Sequence, residues 1–211
     1  MGEVEAEIDV VFVCTGNLCR SPSAAAFFER SVRQSQSQSQ TQSQTQSQKE
    51  HGQNHAEIQK VTVQSLGIMG STSEVPPRLV KEGAAFGLDF GDHVSRRISV
   101  GTIRRADLIV TMAREHVREI VLAQNDAFTK TFTLREIVRR GQDKGPRQPG
   151  DSLHTWLQRL NAGRRHLDLI GDSPDDDIQD PMGGRSEQFR NMLIEVEGLT
   201  RSLHALIWPE A

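Results

Sequence analysis

The residues of this chain whose types and spacing could do chemistry are Cys14 and Arg20, in the segment CTGNLCRS of residues 14–21. Cys14 directly follows an apolar run, and a helix is predicted to begin a few residues later. Backbone N–H groups of such a loop can form an anion-binding nest under the helix N-terminus, a field that favours the thiolate. The planar guanidinium of Arg20 matches two oxygens of a phosphate. Residues 14–21 therefore predict a phosphate loop with a nucleophile beneath the phosphorus, suited to in-line attack and a phosphocysteine intermediate.

The other residues of the phosphate loop fit the same geometry. Gly16 and Asn17 tolerate the positive φ that a tight loop requires. Ser21 can donate a hydrogen bond to the sulfur, and it is a candidate N-cap with Pro22 at the first helical position. The alternative is a buried structural cysteine near a chance arginine, but the position between an apolar strand and a Ser-Pro helix start favours catalysis. The loop lacks the Gly-Lys-Ser/Thr of nucleotide-binding loops, which argues against an NTPase.

The phosphate loop must be positioned by the elements around it. Predicted strands are residues 8–13, 60–66, 106–112 and 131–133, and predicted helices begin at Ser21 and cover 78–87, 114–123, 134–140 and 186–207. Continuous Val- and Ile-rich runs are typical of strands buried on both faces. Strands that alternate with helices predict an α/β fold with a central parallel sheet. Right-handed crossovers then place the phosphate loop at the carboxyl edge of the sheet, where ligands usually bind.

Two segments interrupt this pattern in what we predict to be a single domain, residues 1–211. Residues 34–48 alternate Ser or Thr with Gln and contain nothing apolar. Ordering them would bury little surface, so we predict a disordered insertion at about 34–56. Residues 141–179 are rich in Gly, Pro and Asp, and we predict an irregular insertion around a helix at 153–160. Trp156 in that segment is expected to be an apolar anchor rather than a rim contact.

The composition excludes several classes of protein. The 211 residues carry 25 basic and 28 acidic side chains, a formal net charge of −3, which argues against a broad electrostatic grip on nucleic acid. No apolar run approaches the ~20 residues needed to span a bilayer. The N-terminal segment is acidic, unlike a signal peptide, so we expect a cytoplasmic protein without a membrane partner. Cys14 and Cys19 are the only cysteines, which excludes a disulfide scaffold and a four-cysteine zinc site.

The segment VFVCTGNLCRSP resembles the signature of low-molecular-weight protein tyrosine phosphatases. The resemblance continues through QSLG at 64–67, DHVSR at 92–96, ADLI at 106–109 and the pair Asp180-Pro181. It implies a four-stranded parallel sheet flanked by helices, a phosphorylated protein as substrate, and neither a metal nor an organic cofactor. Carried over by position, Cys14 would be the nucleophile and Arg20 the phosphate clamp.

The resemblance also implies supporting roles for residues around the nucleophile. Asn17, Ser21, Ser65 and His93 would hold the phosphate loop in shape. The residues that would bind the substrate phosphate are Thr15, Gly16, Asn17, Leu18, Cys19 and Ser21.

Expelling the leaving group requires a proton, which a carboxylic acid can supply before it activates water against the phosphocysteine. Pro181 stiffens the backbone after Asp180, so residue chemistry favours Asp180 without deciding among the acids of this segment. The resemblance places the general acid at Asp180. The other acids are expected to form a solvated loop: Asp172, Asp175, Asp176 and Asp177.

The identity of the substrate side chain stays open between two amino acids. Tyrosine-specific members of the family carry aromatic residues after Asp-Pro, whereas Met182, Gly183 and Gly184 follow here, and residues 70–73 also lack an aromatic. Bacterial relatives that act on phosphoarginine resemble this chain at Thr15, at the Gly-Gly pair and at FTLRE of residues 132–136. A β-branched Thr15 could narrow the pocket for a slim guanidinium stem, or it could be a neutral variant. Phosphotyrosine is the main prediction and phosphoarginine the alternative.

Two further functions follow from the same loop. Arsenate mimics phosphate, and a reductase that uses an external low-molecular-weight thiol would need only Cys14. The thioredoxin-linked kind would need resolving cysteines after Cys19, and the sequence has none. A phosphoprotein-binding module without turnover is the other alternative, which the combination of Cys14, Arg20 and Asp180 argues against. We also expect that oxidation could join Cys14 and Cys19 in a reversible disulfide.

Overall fold

A computed structural model describes residues 7–46, 60–70 and 72–209, with side chains described outside 39–46. Four parallel strands form one sheet: β1 (Ile8–Cys14), β2 (Val61–Gly67), β3 (Leu108–Thr111) and β4 (Thr131–Thr133), in the order β2-β1-β3-β4. All three pairings are parallel, and Cys14 lies opposite Gly67 at the carboxyl end of the β1–β2 ladder. The predicted α/β class with a four-stranded parallel sheet is confirmed.

Helices cover both faces of this sheet. They are α1 (Arg20–Gln46), α2 (Pro77–Ala84), α3 (Val100–Arg105), α4 (Arg114–Ala123), α5 (Leu134–Lys144), α6 (Leu153–Asn161) and α7 (Ser186–Ile207), with short 3-10 helices at Asn125–Lys130 and His166–Leu169. The predicted spans of α4 and α7 agree with the structure residue for residue. Helix α3 was not predicted, and α1 begins one residue before Ser21, which therefore lies in its first turn instead of capping it.

The alternation of side chains along β1 explains why its sequence is continuously apolar. Val10, Phe12 and Cys14 pack in a cluster with residues of α1, α5 and α7, whereas Val11 and Val13 pack on the other face with residues of α3 and α4. Full burial of each such apolar side chain contributes about 1.5–3 kcal/mol. The strand that ends at the phosphate loop is thus buried at every residue except Asp9, and it gives that loop a rigid base.

Helix α1 continues through the Ser/Gln tract to Gln46, which differs from the disorder predicted there. Gln is a good helix former, and the hydroxyls of Ser31, Ser35 and Ser37 donate to carbonyls four residues earlier. Ser35 Oγ also lies 2.9 Å from Nε2 of His204 on α7, which anchors the tract to the core. Residues 47–56, the rest of the predicted insertion, lie outside the described part of the chain.

The segment 141–179 is more ordered than predicted. It contains the end of α5, the predicted helix as α6, and a fully buried Trp156 whose Nε1–H donates to Gly145 O over 3.1 Å. The Trp156 anchor is therefore confirmed. Just after α6, the buried Arg164 guanidinium lies 3.9 Å from the ring centroid of Phe132 and pairs with Glu136. The segment packs onto the β4 edge of the sheet instead of looping freely.

Among the residues that the structure describes, no helix combines the length and the apolar character that crossing a bilayer would require.

Candidate active site

The phosphate loop connects the carboxyl end of β1 to the first turn of α1, as predicted. Cys14 is buried at the end of β1, and its Sγ lies 3.0 Å from Oγ of Ser21. Ser21 is held in place because its hydroxyl also contacts Leu66 O, at the end of β2, over 3.2 Å. The predicted contact between the sulfur and Ser21 is thus present, and it links the loop to two neighbouring strands.

Asn17 is the internal support of the phosphate loop. It has a φ of 52°, and it is the only non-glycine residue in the described part of the chain with a positive φ. Its amide Nδ2 donates to the hydroxyls of Ser21 (3.1 Å) and Ser65 (3.0 Å), and Oδ1 accepts from the Arg96 backbone N–H. Its carbonyl accepts from Nε2 of His93 over 2.7 Å. The structure therefore places Ser65 and His93 against the loop, where the resemblance implied.

A second set of contacts clamps the outer side of the phosphate loop. The chain beyond β2 runs beside it, and the Ile68 and Met69 amides donate to the carbonyls of Cys14 and Thr15, each over 2.9 Å. Ser95 Oγ donates to Gly16 O over 2.7 Å. Ser95 belongs to the DHVSR segment of residues 92–96, and the resemblance implies no role for it. The carbonyls of residues 14–17 are thus all bonded from outside the loop, and because the N–H of a trans peptide points away from its carbonyl, the amides of residues 15–18 point inward.

Gly67 makes this close approach sterically feasible, and its replacement by alanine should destabilise the protein. A Cβ there would lie 2.6 Å from Met69 O and 2.9 Å from Thr15 O, both backbone atoms that cannot move independently. We expect Gly67→Ala to lower the free energy of unfolding by about 1–3 kcal/mol and to weaken phosphate binding. Urea unfolding and calorimetric titration with phosphate measure the two effects.

The matched control is Gly198→Ala on the exposed side of α7, where an added Cβ meets nothing within 4 Å. A helix-interior Gly→Ala change at an open position stabilises by roughly 0.5–1 kcal/mol. A Gly67→Ala protein as stable as the Gly198→Ala protein would show that the loop yields without cost.

Arg20 extends from the start of α1 to the mouth of the loop, and its side chain is only 5% exposed. Nη1 donates to Ile178 O over 3.2 Å, and Nη2 donates to Thr15 Oγ1 over 3.1 Å and to Asp180 Oδ2 over 2.5 Å. In this resting arrangement, a carboxylate occupies the guanidinium that was predicted to hold phosphate oxygens.

The segment of residues 172–184, here called the acid loop, is fixed to the end of β3. Ile178 N–H donates to Met112 O over 2.8 Å, and Asp177 Oδ1 accepts from the first amide of α4, at Arg114, over 2.7 Å. Asp176 is buried and pairs with Arg114 over 2.6 Å. The expectation of a solvated acidic loop is therefore wrong for Asp176 and Asp177, because α4 partners 62 and 63 residues away desolvate and occupy them.

Asp180 differs from the other acids of this loop in contacting Arg20. Its Oδ1 accepts the Met182 amide over 3.1 Å, which turns the carboxylate toward the phosphate loop, and its side chain is 41% exposed. Partial exposure lets the carboxyl exchange a proton with solvent. Asp172 is by contrast 87% exposed at the side chain and lies 3.7 Å from Arg118. The structure thus brings together Cys14, Arg20 and Asp180 and leaves Asp172 outside.

Cys19 is the second thiol of the loop, and both cysteines are free. Its Sγ–H points to Met182 Sδ at 3.3 Å. Burial raises the pKa of the Cys19 thiol to about 12, assisted by the negative charge of Asp180. A thiol that stays protonated is a slow attacking group, so the Cys14–Cys19 disulfide is still only a prediction.

His116, in the first turn of α4, was not among the predicted site residues. Its Nε2 lies 2.9 Å from Thr15 Oγ1, and the side chain is 2% exposed. Burial, with the nearby cations Arg20 and Arg118, lowers the pKa of His116 to about 3, so the imidazole is neutral at ordinary pH. The only sequence signal for His116 is its position shortly after β3, because β3 lies beside β1 in the sheet and so brings His116 near the phosphate loop.

The assembled site can bind a tetrahedral dianion and attack it. A thiol lies at the base of a loop of inward amides at a helix N-terminus, a buried guanidinium lies at its mouth, and a carboxyl group stands beside it. Within the described residues, no three His, Cys, Asp or Glu side chains are grouped to hold a metal ion. Cys14, Arg20 and Asp180 are the side chains of this site whose chemistry suits a nucleophile, an anion clamp and a proton carrier.

Comparisons with known proteins agree with this geometry. Residues 9–61 and 48–146 match the family model described as low molecular weight phosphotyrosine protein phosphatase. The chain is 31% identical over 134 residues to a protein-arginine-phosphatase of Bacillus subtilis (strain 168), covering 62% of this chain and 73% of that one. It is 28% identical over 156 residues to a probable low molecular weight protein-tyrosine-phosphatase, EpsP, of Ralstonia solanacearum, covering 73% and 89%.

The fold has a counterpart among solved structures. The crystal structure of a YwlE mutant from Bacillus subtilis superposes with a TM-score of 0.61 at 23% identity, covering 93% of this chain and 96% of the other. Since the family model ends at residue 146, a likeness that covers 93% of this chain extends past the residues that the model matches.

Proposed function

Because the chain belongs to the low molecular weight phosphotyrosine protein phosphatase family, we propose that it hydrolyses phosphotyrosine in phosphorylated proteins through a phosphocysteine intermediate. The observation that carries this proposal is the convergence of Cys14, Arg20 and Asp180. They come from the end of β1, the start of α1 and the acid loop, and the Arg20–Asp180 contact of 2.5 Å joins the last two. The site needs no cofactor, because these side chains supply every group that the reaction uses.

In the first step, the substrate phosphate displaces Asp180 from Arg20 and takes over the guanidinium. The Cys14 thiolate attacks phosphorus in line with the leaving oxygen, so that an S–P bond forms as the P–O bond to the substrate breaks. The displaced Asp180 carboxylate takes a proton from solvent, and the resulting carboxylic acid gives that proton to the leaving oxygen. The loop amides and Arg20 stabilise the charge on the three equatorial oxygens.

In the second step, the Asp180 carboxylate takes a proton from water while the water oxygen attacks phosphorus. The S–P bond breaks, the thiolate re-forms and inorganic phosphate leaves. Ser21 stabilises that thiolate, because its hydroxyl lies 3.0 Å from Cys14 Sγ and its one hydrogen can turn from Leu66 O to the sulfur. When the product departs, Asp180 releases to solvent the proton that it took from water and regains its contact with Arg20, which returns the site to its resting arrangement.

The rim of the site favours an aromatic side chain over a charged one. Three exposed apolar residues border the phosphate loop: Met69, whose amide bonds to Thr15, Val94, which lies between His93 and Ser95, and Met182, which contacts Cys19. Thioethers make favourable contacts with aromatic rings. Methionines can therefore contact a phenyl ring although the aromatic walls of other family members are missing.

Phosphoarginine is the second candidate, because a protein-arginine-phosphatase is among the relatives. One of the sequence features that suggested it has a structural explanation. Gly183 has a φ of +76°, and a Cβ on Gly184 would lie 2.9 Å from Pro181 O, so both glycines are required by the turn into α7. The Gly-Gly pair thus reflects backbone geometry whatever the substrate is.

The proposal is tested by rapid-quench turnover of phosphotyrosine and phosphoarginine peptides. We expect a burst of released tyrosine equal to the enzyme concentration, acid-labile phosphate on Cys14, and a higher kcat/KM for phosphotyrosine. A stoichiometric complex without a burst would indicate a binding module. Reduction of arsenate with an added thiol, at a rate above peptide turnover, would indicate the reductase.

Thr15→Ile tests whether Thr15 selects the substrate. The Thr15 hydroxyl accepts from Arg20, which must hold the phosphate of either substrate. We therefore expect kcat/KM to fall for both peptides by up to about tenfold, the worth of one hydrogen bond, while their ratio stays nearly constant. Thr15→Ser, which keeps the hydroxyl, should lose less. A tenfold change in the ratio would make Thr15 a selector and favour phosphoarginine.

A further inference from the structure

His116 is a buried polar group that the reaction steps above do not use. Its imidazole is 2% exposed, and Nε2 lies 2.9 Å from Thr15 Oγ1 and 3.2 Å from Glu115 Oε1. Nδ1 is buried and has no hydrogen-bond partner among the described residues. A neutral imidazole has one N–H and one acceptor nitrogen, so the two nitrogens must differ in role.

The contacts decide which nitrogen carries the hydrogen. If Nδ1 carried the hydrogen, this buried N–H donor would have no acceptor, which costs about 1–3 kcal/mol. The lone pair of Nε2 would also face the Glu115 carboxylate. If Nε2 carries it, the N–H has an acceptor in Thr15 Oγ1 and lies near the Glu115 carboxylate, and only the lone pair of Nδ1 is left without a partner. The contacts therefore favour the Nε2–H form.

The Thr15 hydroxyl then accepts two hydrogen bonds, from His116 and from Nη2 of Arg20 at 3.1 Å. Because both lone pairs of the Thr15 hydroxyl are used, the side chain cannot rotate away from the guanidinium without losing one of these two hydrogen bonds. A chain of three side chains thus runs from the first turn of α4 to the mouth of the phosphate loop.

We propose that His116 is a positioning residue for the phosphatase reaction: through Thr15 it holds the guanidinium of Arg20 in the plane that meets the substrate phosphate. This rests on the proposed function, since it assumes that Arg20 clamps phosphate. The need is greatest when the substrate has displaced Asp180, because Thr15 and Ile178 O are then the remaining protein partners of the guanidinium. A neutral ring performs this task without adding a charge beside Arg20.

A double-mutant cycle with p-nitrophenyl phosphate and tungstate tests the proposal. His116→Leu removes the donor, Thr15→Val removes the acceptor, and the double variant removes both. We expect each single variant to lower kcat/KM and to weaken tungstate binding about tenfold, as for one buried hydrogen bond, and the double variant to lose no more than Thr15→Val. His116→Gln, whose amide can donate from a similar place, should recover most of the loss.

Additive losses in the cycle, or a His116→Gln variant no better than His116→Leu, would overturn the positioning role. Thermal unfolding of each variant separates this from a loss of fold. Should His116→Leu fail to fold, the wild-type protein still gives an answer: ¹⁵N spectra of the imidazole should show a neutral ring protonated at Nε2 from pH 5 to 8. An Nδ1–H ring would contradict the proposal. The wild-type burst with phosphotyrosine tests the proposed function separately.

Discussion

Replacement of Cys14 by serine should abolish multiple turnover while leaving the loop able to bind an oxyanion. A serine hydroxyl is almost entirely protonated at neutral pH and is a far weaker nucleophile than a thiolate. The shape of the phosphate loop depends instead on Asn17, on Ser21 and on the backbone hydrogen bonds from the chain beyond β2. Each of these groups has a hydrogen-bond partner other than the sulfur. We expect kcat to fall by at least about 10³-fold, in the range seen when a catalytic nucleophile is removed.

Two measurements check this prediction. Steady-state hydrolysis of an aryl phosphate reports kcat, and calorimetric titration with tungstate reports anion binding, which should change by less than about threefold, or below 1 kcal/mol. Cys19→Ser is the matched control, since it alters the other thiol of the same loop and should still support multiple turnover. Wild-type turnover by Cys14→Ser, or tungstate binding lost in a folded protein, would refute the role given to the sulfur.

Asp180→Asn should cut turnover most for substrates with poor leaving groups. General acid catalysis contributes roughly 10²–10⁴-fold, so we expect a loss of about that size with phenyl phosphate. The loss should be much smaller with p-nitrophenyl phosphate, whose leaving group hardly needs the proton. Tungstate should bind as tightly as in the wild type or more tightly, because the carboxylate that competes for Arg20 at 2.5 Å is gone.

Asp172→Asn is the control for this change, since it removes a charge from the same acid loop at a side chain that is 87% exposed. An exposed pair of this kind is worth about 0–1 kcal/mol, and its removal should not change the dependence of rate on the leaving group. Equal losses for both leaving groups in Asp180→Asn would mean that another residue donates the proton.

The sequence predicts the phosphate loop well because its determinants are local. A buried strand, a glycine, an asparagine that accepts positive φ and a helix start all lie within one short stretch, and Asn17 indeed has a φ of 52°. Helix α7 is equally predictable, because its apolar residues recur at helical spacing over 22 residues. Helix α3 is not predictable in this way, because its six residues, capped by Ser99, are too few to show a helical repeat of apolar residues.

Other features depend on residues far apart in the chain. Asp176 and Asp177 resemble solvated acids until Arg114 is placed beside them, 62 residues away for Asp176. His116 gains its meaning from Thr15, 101 residues earlier, because β3 pairs with β1. The Ser/Gln tract lacks any apolar pattern, so the contact of Ser35 with α7 could not be anticipated from composition.

The pairing of Arg20 with Asp180 means that the resting enzyme is never an empty anion receptor. A tethered carboxylate competes for the guanidinium at an effective concentration in the millimolar range or above, whereas a free metabolite must arrive from solution. Chloride and simple carboxylates carry one charge and fewer oxygens, so their binding to the loop amides is too weak to displace the Asp180 carboxylate from Arg20. A phosphate monoester has two charges and three terminal oxygens, so it binds the loop more strongly and displaces the carboxylate. Competition from the Asp180 carboxylate thereby makes the enzyme selective among the anions in solution. Turnover starts only when a substrate phosphate has displaced Asp180 from Arg20.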